Sequence, residues 1–214
     1  MTRPIVLWGA TGQAKVLAEF LPRLGFSVVA TFDSNPMIAS PFPGVPIFYG
    51  AAGFEQWRRT ALDECSFLVA IGGTYGADRV ALFNFLKGAG LQTTVAKHPT
   101  AQVASDASIG EGCQLLVGSI VAAQAKLGTA CIVNTKASID HECTIGNGVH
   151  IAPGATLCGA VVIEDEAFIG ANAVVLPRLT VGRGAVVGAG AIVTKDVLSG
   201  ALVRGNPARL VQIA

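Results

Sequence analysis

From Val103 onward an aliphatic side chain returns at every sixth position. The series Val103, Ile109, Leu115, Val121, Leu127 and Val133 runs without a miss or an insertion to Val193, sixteen hexads in all. Four residues after most of these anchors sits a small side chain, as at Ala107, Cys113, Ser119, Ala125, Cys131, Ala137 and Cys143. Glycine often follows the anchor directly, as at Gly110, Gly128, Gly146, Gly170, Gly182 and Gly188. A helical stripe would need a period of 3.6 residues and hairpin strands would alternate in twos, so neither fits. A parallel β-prism does. Each hexad supplies one short strand and a corner, three hexads close a coil, and residues 18 apart stack at an inter-strand spacing of about 4.8 Å. The aliphatic anchors then fill the axis, the small residues fit where the chain bends inward, and the glycines free the corners.

The first third has a different pattern. Residues 4–10 read as a buried strand and Gly9-Ala10-Thr11-Gly12 as the turn into a helix. The apolar face of that helix is Ala14, Val16, Leu17, Phe20, Leu21 and Leu24, ending at Gly25. Further strands are predicted at 28–32, 45–49, 66–71 and 91–96, with helices near 51–62 and 77–89. This is a βαβ pattern, hence a parallel sheet. The chain therefore divides into a small Rossmann-like α/β unit over 1–97, the prism over 98–198, and a C-terminal cap over 199–214.

Composition sharpens this division. The 214 residues are 51% hydrophobic and 14% charged, with 26 glycines. No run approaches the roughly 18–20 apolar residues of a spanning helix, so a membrane partner is not expected. A net charge of +1 argues against nucleic acid. The five cysteines lack CxxC spacing, which suggests reduced thiols and a cytoplasmic location. Charge is also unevenly spread. Residues 105–170 carry 2 basic and 7 acidic side chains, and residues 171–214 carry 5 and 1.

The candidate chemistry follows from the stacking. His141, flanked by Asp140 and Glu142, falls at a corner in the column Ala123, His141, Gly159, Pro177, Lys195. A glycine next to the imidazole offers a backbone N–H to a thioester oxygen. Lys195, three coils away or on the order of 14 Å, can meet a phosphate. Coenzyme A is a long molecule with both ends. Either Asp140 or Glu142 could orient the ring. In the first third, the glycine turn (Gly9, Gly12) offers N–H groups to a phosphate. Asp33 is positioned for a sugar hydroxyl, and Gly72-Gly73 ends a later strand at the same sheet edge. With only His141 and His150 in the repeat, no three-histidine zinc site can form within it, and no metal is expected. A non-catalytic trimeric scaffold remains the alternative of another class.

The Gly-Ala-Thr-Gly turn, Ile71-Gly72-Gly73, His98-Pro99, the segment from Asn134 through Asp140-His141-Glu142-Cys143, His150-Ile151-Ala152-Pro153-Gly154 and the closing Gly205-Asn206-Pro207-Ala208 resemble the NeuD-type sugar acyltransferases. These include sialic acid O-acetyltransferases and N-acetyltransferases of nucleotide-linked 4-amino-4,6-dideoxy sugars. The resemblance implies a left-handed parallel β-helix, a homotrimer with sites between subunits, and acetyl-CoA as co-substrate. It implies transfer to a nucleotide-linked amino sugar for surface polysaccharide, with sugar O-acetylation as the alternative. By the same resemblance His141 is the base, with Glu142 and Asn134 in the catalytic group. His150, Gly159, Ala171 and Ala189 go with acetyl-CoA, joined by Lys195 from the stacked column. Gly9, Gly12, Gln13, Asp33, Ser34, Gly72 and Gly73 go with the nucleotide sugar. Gln13 stands where the family usually carries histidine, and cannot titrate there.

Overall fold

The computed structural model describes residues 2–60 and 64–213. Its first third is a five-stranded parallel sheet. The elements are β1 (Arg3–Trp8), α1 (Gly12–Phe20), β2 (Phe26–Asp33), β3 (Ile47–Tyr49), α2 (Gly50–Arg58), β4 (Ser66–Val69), α3 (Gly76–Gly88) and β5 (Gln92–Thr93). Strand order is β3-β2-β1-β4-β5. Succession reverses between β1 and β4, so the carboxyl ends of these strands diverge there and leave a crevice. One side of the sheet packs an aromatic cluster, with Trp8 stacked on Phe32 at 5.2 Å between centroids and Phe54 and Trp57 completing it.

Two local expectations change. The first helix ends at Phe20, and a 3-10 turn over Leu21–Leu24 replaces its last turn. Pro22 has no N–H to continue an α-helical ladder. Val16, placed on the apolar face, is 40% exposed. The predicted strand 91–96 splits: Gln92–Thr93 joins β4, whereas Ala96–Lys97 pairs with Gln114–Leu115 and opens the prism. The last residues of the predicted helix 51–62 lie outside the described residues.

Every one of the sixteen anchors is the second, inward-pointing residue of a two-residue strand. Residues 18 apart pair in register, as in Val121↔Ile139 and Ile139↔Leu157, giving three parallel sheets. The docked face carries Gln114–Leu115, Ile132–Val133 and His150–Ile151. The second face carries Ile120–Val121 and Ser138–Ile139, and the third Lys126–Leu127 and Thr144–Ile145. A hairpin of Ala201–Arg204 and Arg209–Ile213 extends the docked face at the C-terminal end.

The glycines do something other than expected. Backbone φ is positive at fourteen successive corners, every sixth residue from Gly112 to Gly190, three places after each anchor from Ile109 to Val187. Eight of these corners hold non-glycine residues, Lys136, Glu142 and Arg178 among them. The glycines directly after the anchors have ordinary φ. They are required because the next coil lies against them: a Cβ on Gly110 would sit 2.3 Å from the Gly128 carbonyl oxygen. Stacking distance, rather than corner freedom, selects them.

The α/β unit covers the docked face. Gln114, Ile132 and His150 point outward from the prism, yet are buried beneath α1 and the β4–α3 loop. Free thiols of Cys113, Cys131 and Cys143 fill the inward small positions. Among the described residues no helix is long and apolar enough to cross a membrane.

Candidate functional site

Two groups of residues concentrate the chemistry, and they lie on opposite sides of the prism. The first is the corner between the second and third faces. Here the Asp140 carboxylate accepts the backbone N–H of His141 at 2.8 Å, while Glu142 Oε2 lies 2.9 Å from His141 Nδ1. A carboxylate can only accept, so the neutral imidazole carries its proton on Nδ1 and presents the Nε2 lone pair. Of the two carboxylates left open by sequence, Glu142 is the one that contacts the ring. Its side chain reaches back to its neighbour because Glu142 is a left-handed corner residue, with φ +59°. One coil on, Gly159 lies under the ring: a Cβ there would come within 2.5 Å of His141 Cε1 and Nε2. The Gly159 N–H donates to no protein acceptor among the described residues.

The second group surrounds a cavity of about 950 Å³ at the carboxyl ends of β1, β2 and β4. Gly9, Gly12, Gln13, Asp33, Ser34 and Gly72 all line it. Gly9 is fixed there by its neighbour, since a Cβ would strike the Ala70 carbonyl oxygen at 2.3 Å, and its φ is +109°. Asp33 holds the crevice open from the β2 side: Oδ2 accepts the Ala10 N–H and Oδ1 the Asn35 N–H, both at 3.0 Å. The N-terminus of α1 has no side-chain cap, so its first N–H groups face the crevice. Ile38, Tyr75, Asp78 and Leu82 also line the cavity and escaped sequence reasoning. They come from two loops and from α3, whose place over the sheet edge no local pattern reveals.

The floor of this cavity meets the prism. Gln13 donates to Gln114 Oε1 at 2.6 Å, and Gln114 in turn to the Val69 carbonyl at 2.7 Å. The Gly73 N–H donates to His150 Nδ1 at 2.9 Å, and the Asn134 side-chain amide lies 3.1 Å from Nε2. His150 is 5% exposed. Burial, reinforced by the nearby Arg79 charge, pushes its imidazole down to about 4, so it is neutral.

The sequence-predicted residues therefore separate. His141, Gly159 and Lys195 share one edge, with Lys195 exposed. Ala171 and Ala189 lie on the edge between the docked and second faces. Asn134 and His150 contact each other on the docked face beside Gly72 and Gly73, away from His141 of the same chain. Among the described residues no three metal-ligating side chains converge.

Comparison with known proteins matches these features. Residues 160–195 fit the bacterial transferase hexapeptide (six repeats) family. No curated protein sequence matches the chain. A histidine-to-asparagine variant of perosamine N-acetyltransferase from Caulobacter crescentus, solved with CoA and GDP-perosamine, is 32% identical. It superposes over 98% of this chain and 97% of its own with a TM-score of 0.89. The chain belongs to the NeuD-type sugar acyltransferases. The acetyltransferase domain of PglB from Neisseria gonorrhoeae FA1090, solved with acetyl coenzyme A, is 30% identical over 99% of this chain and 100% of its own, with a TM-score of 0.86. WeeI from Acinetobacter baumannii AYE is also 30% identical, over 98% and 100%, with a TM-score of 0.85. As a NeuD-type acyltransferase the chain is an enzyme. Its hexapeptide repeat is the left-handed parallel β-helix of that family.

Proposed function

We propose that this enzyme moves the acetyl group of acetyl-CoA to the amine of a nucleotide-linked amino sugar of the 4-amino-4,6-dideoxyhexose type. The observation that carries this reading is the pairing of an oriented His141–Glu142 corner over Gly159 with a separate, nucleotide-sized cavity at the sheet's switch point. His141 Nε2 takes the proton of the attacking amine as nitrogen adds to the thioester carbon. Glu142 holds the ring and stabilises its charged form. The Gly159 N–H meets the developing oxyanion, a contribution of typically about 3 kcal/mol. Collapse expels the CoA thiolate, which takes up the proton from His141.

In the cavity, the diphosphate sits at the first N–H groups of α1, with Gly9, Gly12 and Ser34 around it. Asp33 and Gln13 reach the sugars, and Gly72-Gly73 forms the floor beside His150 and Asn134. Among the described residues no lysine or arginine lines the cavity, so the backbone N–H groups and the helix dipole carry the anion. Gln13 is held by Gln114 and supplies a neutral polar contact at all working pH values.

His141 is on the edge opposite the docked face, so the cavity of its own chain is out of its reach. A site built from both therefore requires a second copy, the arrangement of a homotrimer with the site shared between subunits. The second face suits that contact: its outward residues Ile120, Ser138, Thr156, Val174 and Ile192 are all uncharged. In such a shared cleft, the edge with Gly159 and Lys195 on one subunit and the edge with Ala171 and Ala189 on its neighbour flank acetyl-CoA.

Thiol release from acetyl-CoA across GDP-, UDP- and dTDP-linked amino sugars, with free sialic acid as the O-acetylation arm, tests the reaction. Light scattering tests the assembly. Transfer to sialic acid alone, or a monomer with full activity, would overturn the corresponding part.

A further inference from the structure

Arg79 has no part in the chemistry described above, yet among the described residues it is the most deeply buried charge, with 0% exposure. Among the described residues no carboxylate pairs with it. Instead its three donor nitrogens serve three carbonyls in three segments. Nε donates to Ala130 at 2.9 Å, Nη1 to Ile71 at 2.8 Å, and Nη2 to Gly148. Ala130 and Gly148 are left-handed corners of successive coils, on the edge between the third and docked faces. Ile71 leads directly into Gly72, which lines the cavity, and Gly73, whose N–H holds His150.

A buried guanidinium without a counter-ion is costly, and here each of its nitrogens is matched to a backbone carbonyl. What an apolar residue cannot supply is a planar fork with fixed directions. The surrounding backbone leaves little slack for an alternative. At the start of α3 a Cβ on Gly76 would lie 2.7 Å from both Glu166 Cα and the Gly148 carbonyl oxygen. Helix α3 thus rests on bare prism backbone, and Arg79 is the side chain that ties this contact to the cavity floor.

We propose that Arg79 is a positioning residue for the acceptor half of the reaction, fixing the Ile71–Gly73 loop, and so the nucleotide cavity, at one height and angle over the prism. This rests on the nucleotide-sugar reading of the cavity. The two edges proposed to flank acetyl-CoA, with Gly159 and Lys195 on one and Ala171 and Ala189 on the other, are not the edge that Arg79 holds, so acetyl-CoA binding does not depend on Arg79.

Full-length Arg79→Met and Arg79→Lys test this. In Arg79→Met, kcat/KM for the nucleotide-linked amino sugar should fall at least tenfold, while KM for acetyl-CoA stays within twofold. Calorimetric affinity for the nucleoside diphosphate preferred by the wild type (GDP, UDP or dTDP) should fall in parallel. Arg79→Lys, keeping the charge but not the fork, should recover only part. Equal losses toward both substrates, or unchanged kinetics in a folded variant, would overturn the proposal.

A measurement on the wild type keeps the test independent of variant folding. Nucleoside diphosphate binding should slow hydrogen exchange in residues 71–76 and 146–150 together. Slowing confined to residues 9–13 and 33–38 would count against the proposal. If no amino sugar is acetylated but a diphosphate binds, the transfer reading fails while these arms still decide the role of Arg79. If no diphosphate binds the wild type, both readings fall.

Discussion

Replacing Gly159 with alanine should separate chemistry from folding. The added methyl would lie 2.5 Å from His141 Cε1 and Nε2, whereas ordinary contact between such atoms is near 3.5 Å. The ring must therefore retreat by about 1 Å, and a displacement of that size at a reacting group costs on the order of a hundredfold in rate, or about 2.7 kcal/mol. Retreat also pulls Nδ1 from its 2.9 Å bond to Glu142. The backbone is no obstacle, because Gly159 is not among the left-handed positions, and the imidazole that must move is 55% exposed. Stability should thus change by less than about 1 kcal/mol. The assay is steady-state CoA release with the acceptor saturating, run beside chemical denaturation of the same variant. A Gly159→Ala enzyme with kcat within threefold of wild type would refute the claim that the glycine seats the catalytic ring. A large loss of stability would refute the claim that its role is confined to the site.

Other expectations follow from the same geometry. His141→Ala should lower kcat by about a hundredfold or more while the assembly measured by light scattering is unchanged, and normal turnover would remove His141 as the base. Glu142→Gln retains the shape but not the carboxylate, and should cost about tenfold in kcat or more with little change in either KM. If Asp140→Asn gave the larger loss, the orienting role would belong to Asp140. Lys195→Ala should raise KM for acetyl-CoA and leave that for the acceptor, and the reverse result would dismiss the stacked column as the CoA track. His150 stays neutral in the fold down to about pH 4 but takes a proton below about 6.5 once unfolded. Its contribution is therefore intact above pH 6.5 and is lost as pH falls toward 4, by up to roughly 3 kcal/mol. His150→Gln should show a correspondingly shallower fall in denaturant midpoint over that window, and an identical slope in both proteins would exclude the effect.

The sequence by itself determined the repeat and its consequences. One aliphatic per hexad can be buried in only one periodic way, so the prism, its register of 18 and the neighbourhood of His141 and Gly159 were legible before any coordinates. The glycine turn and the strand ends at Asp33 and Gly72 were legible too, since each is a local backbone demand within a βαβ unit. Tertiary structure alone decided how the two units meet. Gln13 with Gln114, Gly73 with His150, and Arg79 with Ala130 and Gly148 are contacts between segments 51 to 101 residues apart, for which no periodicity exists. It also showed which carboxylate touches the His141 ring, Glu142 rather than Asp140, a side-chain orientation that spacing does not reveal. The glycines after the anchors show the same division: their spacing is written in the chain, but the reason for it, the backbone of the next coil against a missing Cβ, exists only once the coils are stacked.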